Sequence, residues 1–243
     1  MDNCTEENEQ FYERFWQDVE YQQAFAFDSA VRDRFPAISE VWGGLRKPKK
    51  VLDYGSGNGV LTYWLWSNGF GEEVLGVDVS STGVENARKS FSKPGLQFEL
   101  ISVLDAIEPG SFDVVVSSHV LEHIDNPEVA LKKITSMAEW VVIEVPLERC
   151  FWPELVAKMR RRPRRENPLG HVNFWDKEGF RWFLKQAGLI IVKDYQYASA
   201  PYSPFNHWAK RLLEIVALRA MGLKLYSRIM ATHYAVLARK IDS

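Results

Sequence analysis

The residues with the clearest chemical meaning form the run Val51 to Gly59, which reads V-L-D-Y-G-S-G-N-G. Val51 and Leu52 are typical of a buried strand, and the glycines that follow predict a tight turn leading into a helix. Glycine has no Cβ, so backbone N–H groups in such a turn can approach a ligand closely. The turn also follows the carboxyl end of a strand, where open α/β sheets bind their cofactors. We therefore expect a ligand site at this turn.

An acidic residue follows the glycines at an informative distance. Asp78 closes the next strand-like run, about 20 positions later, where a carboxylate commonly accepts both hydroxyls of a ribose. A dinucleotide site would require G-x-G-x-x-G, but the third glycine comes one residue early, at Gly59, and Val60 occupies the dinucleotide position. Asp53 would also repel a pyrophosphate and favour a cationic ligand with a free amino group. These features disfavour a nicotinamide-dependent oxidoreductase.

Three segments together resemble the class I S-adenosylmethionine-dependent methyltransferases: D-Y-G-S-G-N-G, V-D-V-S and S-F-D-V-V-V-S-S-H-V-L-E-H-I. The resemblance is close over Lys50 to Pro146 and looser over Gly170 to Lys193. It implies S-adenosyl-L-methionine as the cofactor, with the glycine turn around its methionine portion, an acid on its ribose and the residues after strand three on its adenine. The segment leaving strand four would line the methyl-transfer face. The expected cofactor-binding residues are Asp53, Gly55, Ser56, Gly57, Asp78, Val79, Leu104, Asp105 and Ser117.

Histidines mark the expected acceptor side. Methyl transfer to a hydroxyl requires the loss of a proton, and a neutral histidine is the usual base near pH 7. His119 and His123 flank the end of strand four, and His171 begins the later segment H-V-N-F-W. We expect His119 and His171 to be catalytic, whereas a structural role in orienting the loop suits His123 better.

The same region raises the question of a metal. His119, Glu122 and His123 would share one helix face, and some related O-methyltransferases bind magnesium through E-x-x-E-H at this place. Here a histidine replaces the first glutamate, and magnesium prefers oxygen ligands. No metal is therefore expected.

The alternation of strand and helix patterns predicts a parallel sheet with crossovers. Together with the resemblance, it predicts an α/β, Rossmann-like, seven-stranded and mostly parallel sheet whose last strand is antiparallel, with helices on both faces. Residues 1–45 are expected to form an N-terminal helical cap and residues 46–243 the methyltransferase domain, with substrate-side inserts at about 147–174 and 199–232. Strands are expected near 50–54, 73–78, 97–101, 112–117, 140–145, 189–197 and 234–240, and helices near 59–69, 81–91, 127–138 and 176–187.

Composition and charge narrow the class of protein. The chain of 243 residues has a net charge of −2 and two cysteines, Cys4 and Cys150. No global field favours nucleic acid, and the cysteine count argues for a reducing compartment. The acidic first twenty residues lack an apolar signal core, and no run reaches the roughly 18 apolar residues of a membrane span. We expect a cytoplasmic protein without a transmembrane segment or a nucleic-acid partner.

Two further segments bear on partners. The basic run K-M-R-R-R-P-R-R, beginning at Lys158, is usually a solvated loop, but arginine forks also suit an anionic acceptor. The amphipathic segment Trp208 to Arg228 is compatible with core packing, a homodimer interface or peripheral membrane attachment. The expected function is O-methylation of a small hydroxylated metabolite or sugar unit, and an anionic acceptor is left open. An N-methyltransferase and a non-catalytic cofactor-binding protein stay open as alternatives.

Overall fold

The computed structural model describes residues 13–16, 26–160 and 170–240. Within these ranges, seven strands form one sheet in the order β3-β2-β1-β4-β5-β7-β6. Strands β1 to β5 are parallel to one another, and β7 runs antiparallel to both β5 and β6. The strands span Lys50–Tyr54 (β1), Glu73–Asp78 (β2), Leu96–Leu100 (β3), Phe112–Ser118 (β4), Ala138–Leu147 (β5), Leu189–Tyr197 (β6) and Thr232–Lys240 (β7). The expected mostly parallel sheet is therefore confirmed.

The helices that connect these strands lie close to where the sequence placed them. A π-helical turn, Ala30–Arg34, leads directly into the first helix. The helices span Phe35–Trp42 (α1), Val60–Ser67 (α2), Ser81–Phe91 (α3), Pro127–Met137 (α4), Phe151–Arg160 (α5), Lys177–Gln186 (α6) and Trp208–Ile229 (α7), and short 3-10 turns cover Ile101–Ala106, Leu121–His123 and Ala200–Tyr202. Side-chain caps define two of the starts: Ser80 accepts from the backbone of Gly83 before α3, and Asp176 accepts from that of Gly179 before α6.

Alternating residues of the central strands serve two separate cores. Val51 and Val114 point to the layer formed by α1, α2 and α3. Leu52 and Val115 point to the opposite layer, formed by α4 and α6. This period of two is what a strand covered on both faces produces. Helices therefore lie on both faces of the sheet, as expected.

The chain order creates a crevice at the carboxyl edge of the sheet. From β1 the chain turns towards β2 and β3, and then returns to the other side of β1 as β4. Open α/β sheets bind ligands where the strand order reverses in this way. The glycine turn after β1 and the segment after β4 therefore lie side by side.

The antiparallel end of the sheet extends further than the sequence indicated. Strand β5 pairs with β7 from Trp140 opposite Arg239 to Leu147 opposite Thr232. Because of this long ladder, β7 begins at Thr232 rather than at Tyr234, and His233 becomes a strand residue at the carboxyl edge of β5.

Both expected inserts contain a helix. Helix α5 follows β5, and α7 lies between β6 and β7. The arginines at 161–165 lie outside the described residues. Helix α1 contributes Ile38 and Val41 to the core, and the division of the chain at residue 45 stays a prediction. None of the described helices combines the length and the apolar character that a membrane span requires.

Candidate functional site

A cavity of about 720 Å³ opens at the carboxyl edge of the sheet. One end is bordered by the turn after β1, the end of β2 and the turn after β3. The other end is bordered by the segment after β4, the end of β5 and the start of β7. Its wall includes Gly55, Ser56, Gly57, Asp78, Val79, Leu104, Asp105, His119, His123, His171 and His233. The cavity thus unites residues expected on the cofactor side with residues expected on the acceptor side.

The glycine turn has a backbone that only glycine adopts without strain. Gly55 and Gly57 have φ angles of 82° and 54°, in the left-handed region that L side chains avoid. Space is also lacking, because a Cβ on Gly55 would lie 2.3 Å from a methyl of Val120 and one on Gly57 would lie 2.4 Å from Cζ2 of Trp16. The turn is therefore closely packed between the segment after β4 and the N-terminal segment.

Asp78 links the end of β2 to this turn. Its Oδ2 atom accepts from the backbone N–H of Gly57 at 2.7 Å, and its Oδ1 atom accepts from that of Ser80 at 2.9 Å. Burial raises the pKa of Asp78, although these backbone bonds oppose the rise. Each carboxylate oxygen has two lone pairs, so both oxygens retain acceptor capacity at the cavity wall. A ribose with two hydroxyls fits that capacity.

Three buried donors beside the turn have no hydrogen-bond partner within the described residues: Trp16 Nε1, Ser56 Oγ and Asn58 Nδ2. All three residues line the cavity. Buried donors are nearly always paired in proteins, so their grouping at one wall indicates a ligand with acceptor atoms. The carboxylate of a methionine moiety meets that requirement.

The other expected cofactor residues occupy three kinds of position. Val79 and the buried Leu104 line the cavity. The Asp105 side chain is 83% exposed at the rim, where it binds Lys133 Nζ at 2.9 Å. Asp53 and Ser117 are buried outside the lining: Asp53 accepts from the Thr62 hydroxyl at 2.6 Å, and burial raises its pKa to about 6. Along β4, it is the next residue, Ser118, that reaches the cavity.

The acceptor end of the cavity contains a charged cluster around His119. His119 has a φ of 58°, which is uncommon for a residue with a side chain. Its Nδ1 atom lies 3.1 Å from Oε1 of Glu122, and its Nε2 atom lies 3.1 Å from Nδ1 of His233 and 3.8 Å from Oε1 of Glu144. Glu122 and Glu144 are fully buried. The ring of His119 is thus held between two carboxylates.

These carboxylates determine the charge of the cluster. Burial by itself would lower the pKa of His119, but Glu122 and Glu144 raise it to about 9. Burial would likewise raise the pKa of Glu122, but the contact with His119 and the nearby His123 lower it to about 2. Burial, with the charge of His119, lowers the pKa of His233 to about 4. At neutral pH His119 is therefore an imidazolium that donates, and His233 is a neutral acceptor.

Glu144 connects the cluster to Ser118 and Tyr197 through hydrogen bonds. Its Oε2 atom accepts from the Ser118 hydroxyl at 2.6 Å, and Oε1 accepts from the hydroxyl of Tyr197. Arg34 donates from Nε to Ser118 Oγ at 2.8 Å and from its Nη2 to the Ser118 carbonyl at 3.0 Å. No ion pair of Arg34 with a carboxylate occurs among the described residues, and its guanidinium borders the cavity. Arg34 is therefore available to a polar or anionic ligand group.

His171 lies beside this cluster, with a ring nitrogen within 4.8 Å of a Glu122 carboxylate oxygen, and it has a carboxylate partner of its own. Its Nδ1 atom is 2.7 Å from Oε2 of Glu148, the residue that follows the end of β5. A hydrogen bond at Nδ1 fixes the tautomer that carries the lone pair on Nε2. His171 is mostly buried and lines the cavity. This arrangement is that of a general base with an orienting carboxylate.

Two groups of side chains could hold a metal ion. Glu122, His123 and His171 bring one ligand atom each to within 4.8 Å of one another, and so do His119, Glu144 and His233. In the first group, His123 Nδ1 lies 3.4 Å from the Gly170 carbonyl. Because His171 Nδ1 likewise faces Glu148, both rings can present Nε2 towards Glu122. Two imidazoles and one carboxylate suit zinc or iron better than magnesium, and the expectation that no metal is used stays a prediction.

Several site residues escaped the sequence analysis. Glu148, His233, Glu144 and Arg34 come from four different elements, and none stands in a recognisable motif. One signal was present: Glu144 is the single acid in the otherwise apolar run from Trp140 to Val145, and a fully buried acid nearly always has a partner. Trp16, among the N-terminal aromatics between which the sequence did not discriminate, covers the glycine turn.

Comparison with known proteins agrees with this geometry. A family model described as a methyltransferase domain matches residues 21–194. Two curated relatives, both named ubiquinone biosynthesis O-methyltransferase, come from Thiobacillus denitrificans (36% identity over 110 residues, 41% of this chain and 47% of the relative) and Azoarcus sp. (38% over 95 residues, 37% and 40%). The chain spans less than half the length of these relatives.

Solved structures share the fold at low sequence identity. A phosphoethanolamine N-methyltransferase 2 from Haemonchus contortus, bound to S-adenosylhomocysteine, has a TM-score of 0.65 at 16% identity, with 97% of this chain and 60% of that chain covered. A SAM-dependent methyltransferase from Archaeoglobus fulgidus has a TM-score of 0.60 at 18% identity, with 92% and 100% covered.

The family match, residues 21–194, covers more than half of the chain and includes the glycine turn, Asp78 and the histidines after β4. The cavity beside them offers the acceptor capacity and the buried donors that the nucleoside and amino-acid portions of S-adenosylmethionine need. The chain belongs to the methyltransferase-domain family, and it has the fold of solved SAM-dependent methyltransferases.

Proposed function

We propose that the enzyme methylates a hydroxyl oxygen of a small molecule and that His171 removes the proton. The observation that carries this proposal is the His171–Glu148 pair, with 2.7 Å between Nδ1 and Oε2, in the wall of the cofactor cavity. An alcohol or phenol must lose its proton as the oxygen attacks, whereas a neutral amine attacks without one. A histidine whose tautomer is fixed by a carboxylate is therefore more useful to an O-methyltransferase.

Different residues would bind the cofactor and remove the proton. The cofactor supplies a methyl group on a positively charged sulfur, which is already activated for transfer. Asp78 and the turn at Gly55 and Gly57 would hold the cofactor, and the acceptor would lie between that turn and His171. Alignment of the two reactants contributes much of the rate. His171 Nε2 would take the hydroxyl proton, and Glu148 would stabilise the imidazolium that forms.

The cluster around His119 would serve the acceptor differently. Because its pKa is about 9, His119 is protonated at neutral pH and cannot act as a base there. We assign it the role of a hydrogen-bond donor and a fixed charge beside the acceptor. Arg34, on the same wall, would donate hydrogen bonds to an anionic group of the methyl acceptor. An anionic, hydroxylated metabolite is therefore the acceptor class that we propose.

The curated relatives add independent support for oxygen as the methylated atom. Both carry the name of an O-methyltransferase and share about one third of their residues with this chain where they match. Their matched regions cover part of their length only, so the names support the reaction type and do not identify the acceptor.

The decisive experiment uses cofactor labelled in the methyl group and a panel of phenols, sugars and amines. We expect label in hydroxylated acceptors, and we expect His171→Ala to lower kcat by about 100-fold with the cofactor affinity unchanged by calorimetry. His207→Ala is a matched control, because His207 caps α7 outside the cavity. Label in amines only, with full activity in His171→Ala, would establish an N-methyltransferase instead. Cofactor binding without label transfer to any acceptor in the panel or in a metabolite extract would support the non-catalytic alternative.

A further inference from the structure

Helix α7 has its apolar residues on the outside. Trp208, Leu212 and Val216 are spaced four residues apart, so they form one stripe along the helix. They are 70%, 54% and 56% exposed, and the neighbouring Leu213 is 71% exposed. On the opposite side, Glu214 is buried. An ordinary surface helix buries its apolar stripe, whereas this helix leaves one exposed.

Further exposed apolar residues lie just before α7 and on the helix that packs against it. Tyr202 and Phe205, just before α7, are 46% and 43% exposed. Helix α5 packs against α7 and exposes Phe151, Trp152 and Met159 by 60%, 49% and 72%. Exposed apolar residues concentrated on two packed helices indicate an interaction site. We call the exposed apolar residues of α5, α7 and the turn before α7 the outer face.

Basic residues surround the outer face. Lys158, Lys210, Arg219, Lys224 and Arg228 are exposed on the two helices, whereas Glu154 is their single exposed acid within the described residues. Helices α5 and α7 together contain 7 basic and 2 acidic residues, which leaves 23 basic and 30 acidic residues for the rest of the chain. The positive charge of this acidic protein is thus concentrated beside its exposed apolar residues.

We propose that the outer face binds the surface of an anionic phospholipid bilayer. Apolar side chains with a tryptophan, flanked by lysine and arginine, are the composition of helices that lie in the membrane interface. Basic residues near an anionic surface strengthen such binding. A second copy of the chain is a poorer partner, since a two-fold interface would bring the same basic surface against itself. The proposal does not depend on which atom the enzyme methylates.

Vesicle co-sedimentation of the full chain tests this inference. We expect binding to phosphatidylcholine vesicles that contain about 30% phosphatidylglycerol, and at least tenfold weaker binding to pure phosphatidylcholine or in about 0.5 M salt. Trp208→Glu should weaken binding to the anionic vesicles at least tenfold. The matched control is Trp182→Glu on α6, which changes a tryptophan of similar exposure, 64%, on a different helix and should leave binding within twofold.

Three outcomes would overturn the proposal. The first is that the wild-type chain does not bind the anionic vesicles. The second is that Trp208→Glu and Trp182→Glu weaken binding equally. The third is that sedimentation velocity finds a dimer, abolished by Trp208→Glu, without any binding to vesicles, in which case the outer face is a self-association surface. Thermal unfolding and cofactor titration of each variant establish that a loss of binding is not a loss of folding.

Discussion

The Nδ1 atom of His171 lies 2.7 Å from Oε2 of Glu148. In the sequence, this proposed base and its orienting carboxylate stand near opposite ends of the insert after β5, and the fold brings them together. Most of the residues expected to bind the cofactor, by contrast, lie at the ends of β1 and β2 or in the turns after β1, β2 and β3. The chain thus builds its two half-sites from different ends of the sheet, and each can be tested without disturbing the other.

Glu148→Gln should lower kcat by about 10- to 100-fold, because an amide can still hold the ring but stabilises the imidazolium less. The KM for the cofactor should stay within twofold, since Glu148 lies at the acceptor end. Steady-state kinetics measures both constants. An unchanged kcat in Glu148→Gln would contradict the orienting role.

Asp78→Asn should weaken cofactor binding by about 10- to 100-fold, because it removes a charged acceptor for two ribose hydroxyls. Asp105→Asn should change the affinity less than threefold, since that side chain points to solvent and to Lys133. Calorimetric titration with the cofactor measures both. Equal losses would show that the Asp105 side chain contributes directly to adenine binding.

Gly57→Ala should abolish measurable cofactor binding and destabilise the protein by about 2 kcal/mol, since the new methyl group meets Trp16 and the backbone is left-handed. Gly110→Ala is the matched control: its φ is also positive, at 76°, but a Cβ there meets no atom within 4 Å. We expect it to cost about 1 kcal/mol and to leave cofactor binding intact. Urea unfolding and calorimetry distinguish the two effects.

The His119 charge predicts a particular pH dependence of stability. Its pKa is about 9 in the folded chain and ordinarily 6.5, so its stabilising contribution is complete below about pH 6.5 and is lost as the pH rises through 9. Between pH 7 and 10, wild type should therefore lose up to about 2 kcal/mol more stability than His119→Asn. Urea unfolding of both proteins at each pH measures the difference, and parallel curves would contradict a charged His119.

Metal ions provide a separate test of the base. If His171 acts as the proposed base, a chelator such as EDTA should leave activity intact, whereas Zn²⁺ should inhibit by binding Glu122, His123 and His171. Glu122→Gln should weaken that inhibition about tenfold by removing one ligand. Loss of activity in EDTA, restored by a divalent ion, would show that the histidine serves a metal instead.

The sequence points to the residues expected to bind the cofactor because their pattern is local, and their binding role stays a prediction. Gly55 and Gly57 stand in one motif, and Asp78 follows after a single helix and strand, so short-range patterns are sufficient. The acceptor half depends on pairing between distant strands. His233 reaches His119 only because the β5–β7 ladder extends to Thr232, and no local pattern indicates where such a ladder begins.

Register explains one further difference between expectation and structure. Ser117 and Ser118 are chemically identical neighbours at the end of β4, and a strand turns successive side chains to opposite faces. Ser118 contacts Glu144 and Arg34 at the cavity, whereas Ser117 is buried outside its lining. Only the strand register, which the sequence does not state, distinguishes them.

The insertion of α7 between the last two strands has a practical consequence for redesign. Neither β1 to β3 nor the glycine turn lies near it along the chain, and its flanks, Ser199, Ser203 and Ala231, border the acceptor end of the cavity. Exchanging residues 199–231 for a loop of different length should therefore alter which molecules are methylated, while the affinity for the methyl donor stays the same. New specificities can arise from this one interchangeable segment.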